Sequence, residues 1–143
     1  MAVSASHNAG VASGNAAVDM KNRDTFASTI GHITWLASMS TPHKDKPISW
    51  LEEVVFPALL LRQFKLYFKE KQPVALIVYG LLSEEQKAAF EASGELPHLD
   101  RWRSGENVVV FECISPFAER ESMIAEFLRD TKSRVKKSGN GGE

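Results

Sequence analysis

The spacing of apolar positions changes along this chain, and each change marks an element. Asp24 or Thr25 can cap a first helix, after which Phe26, Ile30, Ile33, Leu36 and Ala37 recur at helical intervals. The pattern stops in Ser38-Met39-Ser40-Thr41-Pro42, a loop that delivers His43. Ser49 with Glu52 reads as a capping box opening a second helix, which Pro57 should kink or end. Phe64 to Lys69 then alternates, with Lys65, Tyr67 and Lys69 on one face and Phe64, Leu66 and Phe68 on the other. Glu70-Lys71-Gln72 turns the chain into Pro73–Tyr79, a continuous apolar run suited to a strand covered on both faces.

Ser83 and Gln86 form another capping box, and that helix should stop near Gly94. A polar connection, His98 to Gly105, carries Trp102. Val108–Ile114 reads as a further strand, apolar except for Glu112, and Ala118–Arg129 as a closing amphipathic helix. The order α-α-β-β-α-β-α describes a mixed α/β domain.

The ends do not share this patterning. Residues 1–22 are rich in Ala, Ser, Gly and Asn and nearly lack large apolar groups, so they are expected to form a disordered leader. Residues 136–143 contain Gly139, Gly141 and Gly142 and are expected to be a flexible tail. The folded body is then 23–135. A chain of 143 residues, 43% hydrophobic, suits one globular domain. The formal net charge of −1 lacks the basic excess of a general nucleic-acid binder. One cysteine cannot make an internal disulfide, which fits a reducing compartment. No secretory signal pattern opens the chain, and the apolar runs Val54–Leu61 and Val74–Leu82 fall well short of the roughly 20 residues of a membrane span.

Glu112 breaks its strand. By strict alternation it shares a face with Val108, Val110 and Ile114, while Val109, Phe111 and Cys113 take the other. Both faces look buried, so the carboxylate must be paired, hydrogen-bonded or protonated. An active-site acid and a structural ion pair with an arginine both satisfy that condition, and a strand end already in solvent would remove it. His43 is the natural partner by chemistry, set among Pro42, Lys44, Asp45, Lys46 and Pro47. His32 reads as helix packing beside Gly31 and Trp35; His7 and His98 carry no hypothesis. Cys113 has apolar neighbours, which favour a buried structural thiol over a nucleophile. Metal binding is poorly supported, because no histidine pair stands at helical ligand spacing and one cysteine cannot build a thiolate site. No Walker or dinucleotide glycine motif occurs.

Several blocks together resemble the RTX toxin-activating lysine acyltransferases. Gly31-His32-Ile33-Thr34-Trp35-Leu36 followed by Ser40-Thr41-Pro42-His43 is similar to that family's Gly-His-x-x-Trp-Leu and Ser-x-x-His. Phe56-Pro57-Ala58, Gln63, Pro73-Val74-Ala75, Trp102-x-Ser104-Gly105-Glu106 and Ile114-Ser115-Pro116-Phe117 follow in the family's order. The resemblance implies a GNAT-like fold, a twisted mixed sheet flanked by helices. It implies transfer of an acyl chain from acyl carrier protein, with no other cofactor, to an internal lysine of an RTX protoxin in the bacterial cytoplasm. It also implies a homodimer. By position, His43 falls on the family's catalytic histidine, Ser40 on a serine near that site, and Glu112 where the family usually carries a catalytic aspartate. Glutamate there adds one methylene, and the chain ends soon after the closing helix, where relatives commonly continue with further strand sequence.

The chemistry expected of these residues is acyl transfer to an amine. Lysine, with an ordinary pKa of about 10.4, must lose a proton to attack a thioester, and a histidine can take it and return it to the thiolate. Glu112 would then fix the histidine's tautomer, or receive the lysine directly; a covalent acyl-His43 is the other route. Backbone N–H groups, with Ser40, are the expected oxyanion donors. Leu59, Leu60, Leu61, Leu76, Ile77 and Val78 are candidates for an acyl groove, with ordinary core as the alternative. Arg62, Lys65, Lys69 and Lys71, or Arg101 with Arg103, are candidates for meeting the acidic carrier protein. A GNAT-like enzyme using acyl-CoA is a rival reading, weakened by the absence of an Arg/Gln-x-x-Gly-x-Gly/Ala turn. A non-catalytic binding relative is another.

Overall fold

The structure, a computed structural model, describes residues 14–142, with side chains described for 25–132. Internal contacts divide the chain into two compact units, one ending at Thr34 and one beginning at Trp35. Within the first runs most of helix α1, Gly14–Ser38. It begins well before the predicted cap at Asp24 or Thr25, so backbone helix reaches into the segment expected as a leader; residues 1–13 of that leader lie outside the described residues. Thr29 Oγ1 donates to Thr25 O at 2.8 Å, a local bond within the helix.

The second unit is built on an antiparallel sheet of three strands in the order β1-β2-β3. Strand β1 is Phe64–Lys69, β2 is Gln72–Leu82 and β3 is Asn107–Ile114. The tight Glu70-Lys71 turn obliges β1 and β2 to run antiparallel, and Lys69 pairs with Gln72. The resemblance implies a mixed sheet; among the described residues the only parallel pairing is an isolated bridge between Leu81 and Arg103. Central strand β2 is longer than its predicted span. Ala75, Leu76, Ile77 and Val78 are all at most 1% exposed, as its unbroken apolar run requires.

The sheet has two irregularities, and the second redirects side chains. The β1–β2 register shifts between Tyr67 and Phe68 and leaves Val74 of β2 as the extra residue; β1 keeps its alternation, with Tyr67 packed on the core cluster of Ile77, Cys113 and Phe127 and Phe68 exposed. The β2–β3 register shifts between Val78 and Tyr79, which pair with Glu112 and Val110 and leave Phe111 as the extra residue. Cys113 consequently joins Val108 and Val110 in the cluster facing helix α4, Arg120–Gly142. Strict alternation had put Cys113 on the side opposite those valines and Glu112 beside them; the bulge exchanges the two. Gly80 is required by the same feature, because a Cβ there would lie 2.2 Å from the Phe111 ring.

The connections follow local chemistry with one exception. Helix α3, Glu84–Ser93, is capped by Ser83 accepting from Gln86 N at 3.1 Å and ends at Gly94 with φ 75°. The second predicted helix behaves differently. No side chain caps it, so the Ser49–Glu52 box does not form as a cap. A π-helical turn, Leu51–Val55, precedes helix α2, Phe56–Leu61. Proline has no N–H to give. Phe56 N–H instead reaches back to Leu51 O, and Pro57 falls in the first turn of α2, where no intrahelical N–H is needed. Helix α4 extends past Arg129 to Gly142, so its backbone reaches into the segment 136–143 expected as a tail.

Candidate active site

Ser40 follows the last turn of α1, and the chain then winds tightly: His43 N–H and Lys44 N–H both donate to Ser40 O, at 2.9 and 2.8 Å. This turn puts residues three apart on one side. Ser40 Oγ therefore lies 2.6 Å from His43 Nδ1, with both side chains buried. The other ring nitrogen, Nε2, lies 3.0 Å from Glu112 Oε1, across 69 positions of sequence. Ser40, His43 and Glu112 thus form one hydrogen-bonded chain. Its arrangement is that of a serine–histidine–acid triad with the roles of the two ring nitrogens exchanged.

The bulge explains why Glu112 arrives there rather than among the α4-facing residues. Burial is the largest influence on its carboxyl and opposes its charge. The hydrogen bond and charge of His43, the Cys113 N–H at 3.1 Å and the Lys46 ammonium outweigh burial and hold the carboxyl below its ordinary value of 4.5. Glu112 is therefore an acceptor at neutral pH, so His43 Nε2 carries the hydrogen. In the neutral ring Nδ1 is then bare and accepts from the Ser40 hydroxyl. Trp50 packs beside the imidazole, with ring centroids 5.8 Å apart, and its buried indole N–H has no partner among the described residues.

The triad opens on a cleft of about 540 Å³. Its wall includes Ser40, His43 and Glu112 together with Lys46 and Arg120. Neither cation forms an ion pair with a described residue. Cys113 also borders the cleft, but it is 1% exposed and burial pushes its thiol up, ahead of the opposing effect of Arg120, so it is no nucleophile. Among the described residues no His, Cys, Asp or Glu side chains gather as a metal-holding group.

The basic residues offered by sequence for the carrier protein lie elsewhere. Arg62 caps α2 at its C-terminal end with φ 58°. Lys65 stands 5.5 Å over the Tyr67 ring, Lys69 ends β1 and Lys71 lies in the β1–β2 turn. Arg101 is 4.0 Å from Asp100. Arg103 donates to Gln63 Oε1 at 2.8 Å and to Leu61 O, which ties it to the framework. Sequence reasoning passed over Lys46 and Arg120 as cleft cations. Lys46, three residues beyond His43 in the same polar loop, was the signal available. Trp50 was missed as the neighbour of His43, because nothing local distinguishes it from core. No helix among the described residues is long and apolar enough to cross a membrane.

Comparison with known proteins agrees with the motif blocks. The model of the RTX toxin acyltransferase family matches residues 22–139. The RTX-III toxin-activating lysine-acyltransferase of Actinobacillus pleuropneumoniae is 27% identical over 105 residues, covering 73% of this chain and 61% of that protein. A protein-lysine myristoyltransferase of Escherichia coli is 26% identical over 102 residues, covering 71% of this chain and 60% of that one. Another from Kingella kingae is 27% identical over 92 residues, 64% of this chain and 55% of that one. The chain therefore spans about 60% of the length of the first two of these relatives. A family match over residues 22–139, reaching both sides of the Ser40–His43–Glu112 chain, places this protein in the RTX toxin acyltransferase family.

Proposed function

We propose that this chain is a protein-lysine acyltransferase that moves a fatty acyl group from the thioester of acyl carrier protein to an internal lysine of an RTX protoxin, in the bacterial cytoplasm. The GNAT-like relationship of the fold and a homodimeric assembly belong to the same proposal. The observation that supports it best is the continuous Ser40–His43–Glu112 hydrogen-bond chain at the wall of an open cleft.

The geometry suits proton transfer. The lysine nitrogen attacks the thioester carbonyl; a C–N bond forms, the C–S bond breaks, and the nitrogen sheds a proton that the departing thiolate takes up. His43 Nε2 is held by Glu112, so Nδ1 is the nitrogen that accepts the proton, and the Ser40 hydroxyl stands at Nδ1. Ser40 passes its own proton to Nδ1 as it takes the amine's. Glu112 then stabilises the imidazolium, a role for which its low pKa fits it. With both ring nitrogens occupied by hydrogen bonds, direct transfer is favoured over an acyl-His43 intermediate.

The test is intact-mass spectrometry of an RTX protoxin fragment mixed with the protein and long-chain acyl carrier protein. An acyl mass on a fragment lysine, lost with His43→Ala, is the expected result. Carrier binding without transfer by the native chain, across several protoxin fragments, would overturn the enzymatic reading.

A further inference from the structure

None of the residues that sequence offered for an acyl groove lines the cleft. Leu76, Ile77 and Val78 are at most 1% exposed in the sheet core, and Leu60, though 73% exposed, is not part of the cleft wall. Apolar surface does stand at the cleft, in another place. Met39 lines the cleft beside Ser40 and is 50% exposed. Its N–H still bonds to Trp35 O at 3.2 Å, so Trp35 lies one helical turn back on the same face. Trp35 is 40% exposed and faces Phe117, 49% exposed, with centroids 6.1 Å apart and planes tilted by 33°. Pro116, the neighbour of Phe117, also lines the cleft.

We infer that Met39, Trp35 and Phe117 form the track on which the donor's fatty acyl chain lies as it leaves the Ser40–His43 site. The inference rests on the acyltransferase reading. Continuity selects the occupant, because Met39 and Pro116 belong both to the cleft wall and to this surface. Much of the remaining wall is polar, including Thr41, Lys46, Ser115 and Arg120, and offers an alkyl chain nothing. A thioether and a tilted aromatic pair make an adaptable apolar surface, as a flexible chain requires. Each methylene that the track removes from water strengthens binding about threefold to fourfold.

The test compares a butyryl with a myristoyl thioester on the same carrier. Phe117→Ala alters a half-exposed residue outside the cleft wall and is expected to raise KM for the myristoyl donor about tenfold, leaving butyryl transfer unchanged. A bromomyristoyl pantetheine thioester is expected to quench tryptophan fluorescence, with the quenching lost in Trp35→Phe, since Trp50 and Trp102 are buried. Equal changes for both chain lengths would overturn the inference, as would unchanged selectivity. So would a dimer-to-monomer shift in sedimentation with selectivity intact, which would assign the surface to a second copy. If the native protein transfers no acyl group while Trp35-dependent quenching persists, the proposed function fails and the track stands.

Discussion

Two buried polar clusters in this protein carry residues of the family motif, and they are built differently. One is Ser40–His43–Glu112. The other surrounds Gln63, which is 2% exposed. The Gln63 amide donates to Tyr79 O and Trp102 O, both at 3.1 Å, and its carbonyl accepts from Arg103. Its backbone adds bonds to Ala58 O and from Tyr79 N–H. Nearby, Gly105 N–H bonds to Leu81 O at 3.0 Å, an approach that leaves no room for a Cβ. The Gln63 cluster clasps the α2–β1 link, strand β2 and the Trp102 loop; its acceptors are amide oxygens and its cation is tied by two hydrogen bonds to Gln63 and Leu61. The Ser40 cluster contains an imidazole and a carboxylate and opens on a cleft. A shared motif and shared burial therefore do not distinguish a candidate site from architecture. Ionisable groups with access to a cleft do.

Substitutions can break that contrast from either side. The largest effect is expected from His43→Ala: transfer to the protoxin lysine, measured per folded molecule, falls by about 10² to 10⁴, the range lost with a general base. A comparable loss of transfer in Gln63→Ala, measured per folded molecule, would dissolve the distinction. Glu112→Gln keeps an oxygen for His43 Nε2–H but removes the charge that stabilises the imidazolium. Its transfer rate is expected to drop about 10²-fold, read by the same mass assay.

Gln63→Ala comes next and acts on stability. It leaves two carbonyls and the Arg103 guanidinium short of partners, at a cost of about 2–3 kcal/mol, measurable as a lowered urea midpoint. The pH dependence gives a finer test. The Glu112 carboxyl titrates below its ordinary 4.5 in the folded protein, so the unfolded chain binds the proton first as pH falls. Its contribution to stability is therefore fully present above that ordinary value and is lost as pH falls through the folded one. Urea midpoints of the native protein and Glu112→Gln should converge over that acid window. The smallest effect belongs to Lys46→Ala, which removes one of the influences lowering the Glu112 pKa and should move that acid limb slightly to higher pH.

Much of this was legible in the sequence. Element types and order follow from periodicity, and the Ser83 cap and Gly94 stop appear where they were read. Ser40 and His43 meet because a tight turn brings residues three apart together, which is local information. Glu112 stood out as a charge in an apolar strand. The π-helical turn was less legible: the sequence marked Pro57 as disruptive without showing that the backbone would widen before it.

The sequence by itself determined the order of helices and strands in the body of the chain and which residues carry titratable chemistry, because propensity, capping and alternation act over a few neighbours. The tertiary structure alone decided where that chemistry points. Alternation along β3 set Glu112 beside Val108 and Val110; the bulge opposite Val78 and Tyr79 moved Cys113 to that face and left Glu112 to His43. A bulge is a property of two paired strands, and no periodicity within one strand encodes it. The cleft follows the same rule. Lys46 and Arg120, like Met39 and Pro116, come to one wall from segments far apart in the chain, and only packing brings them there.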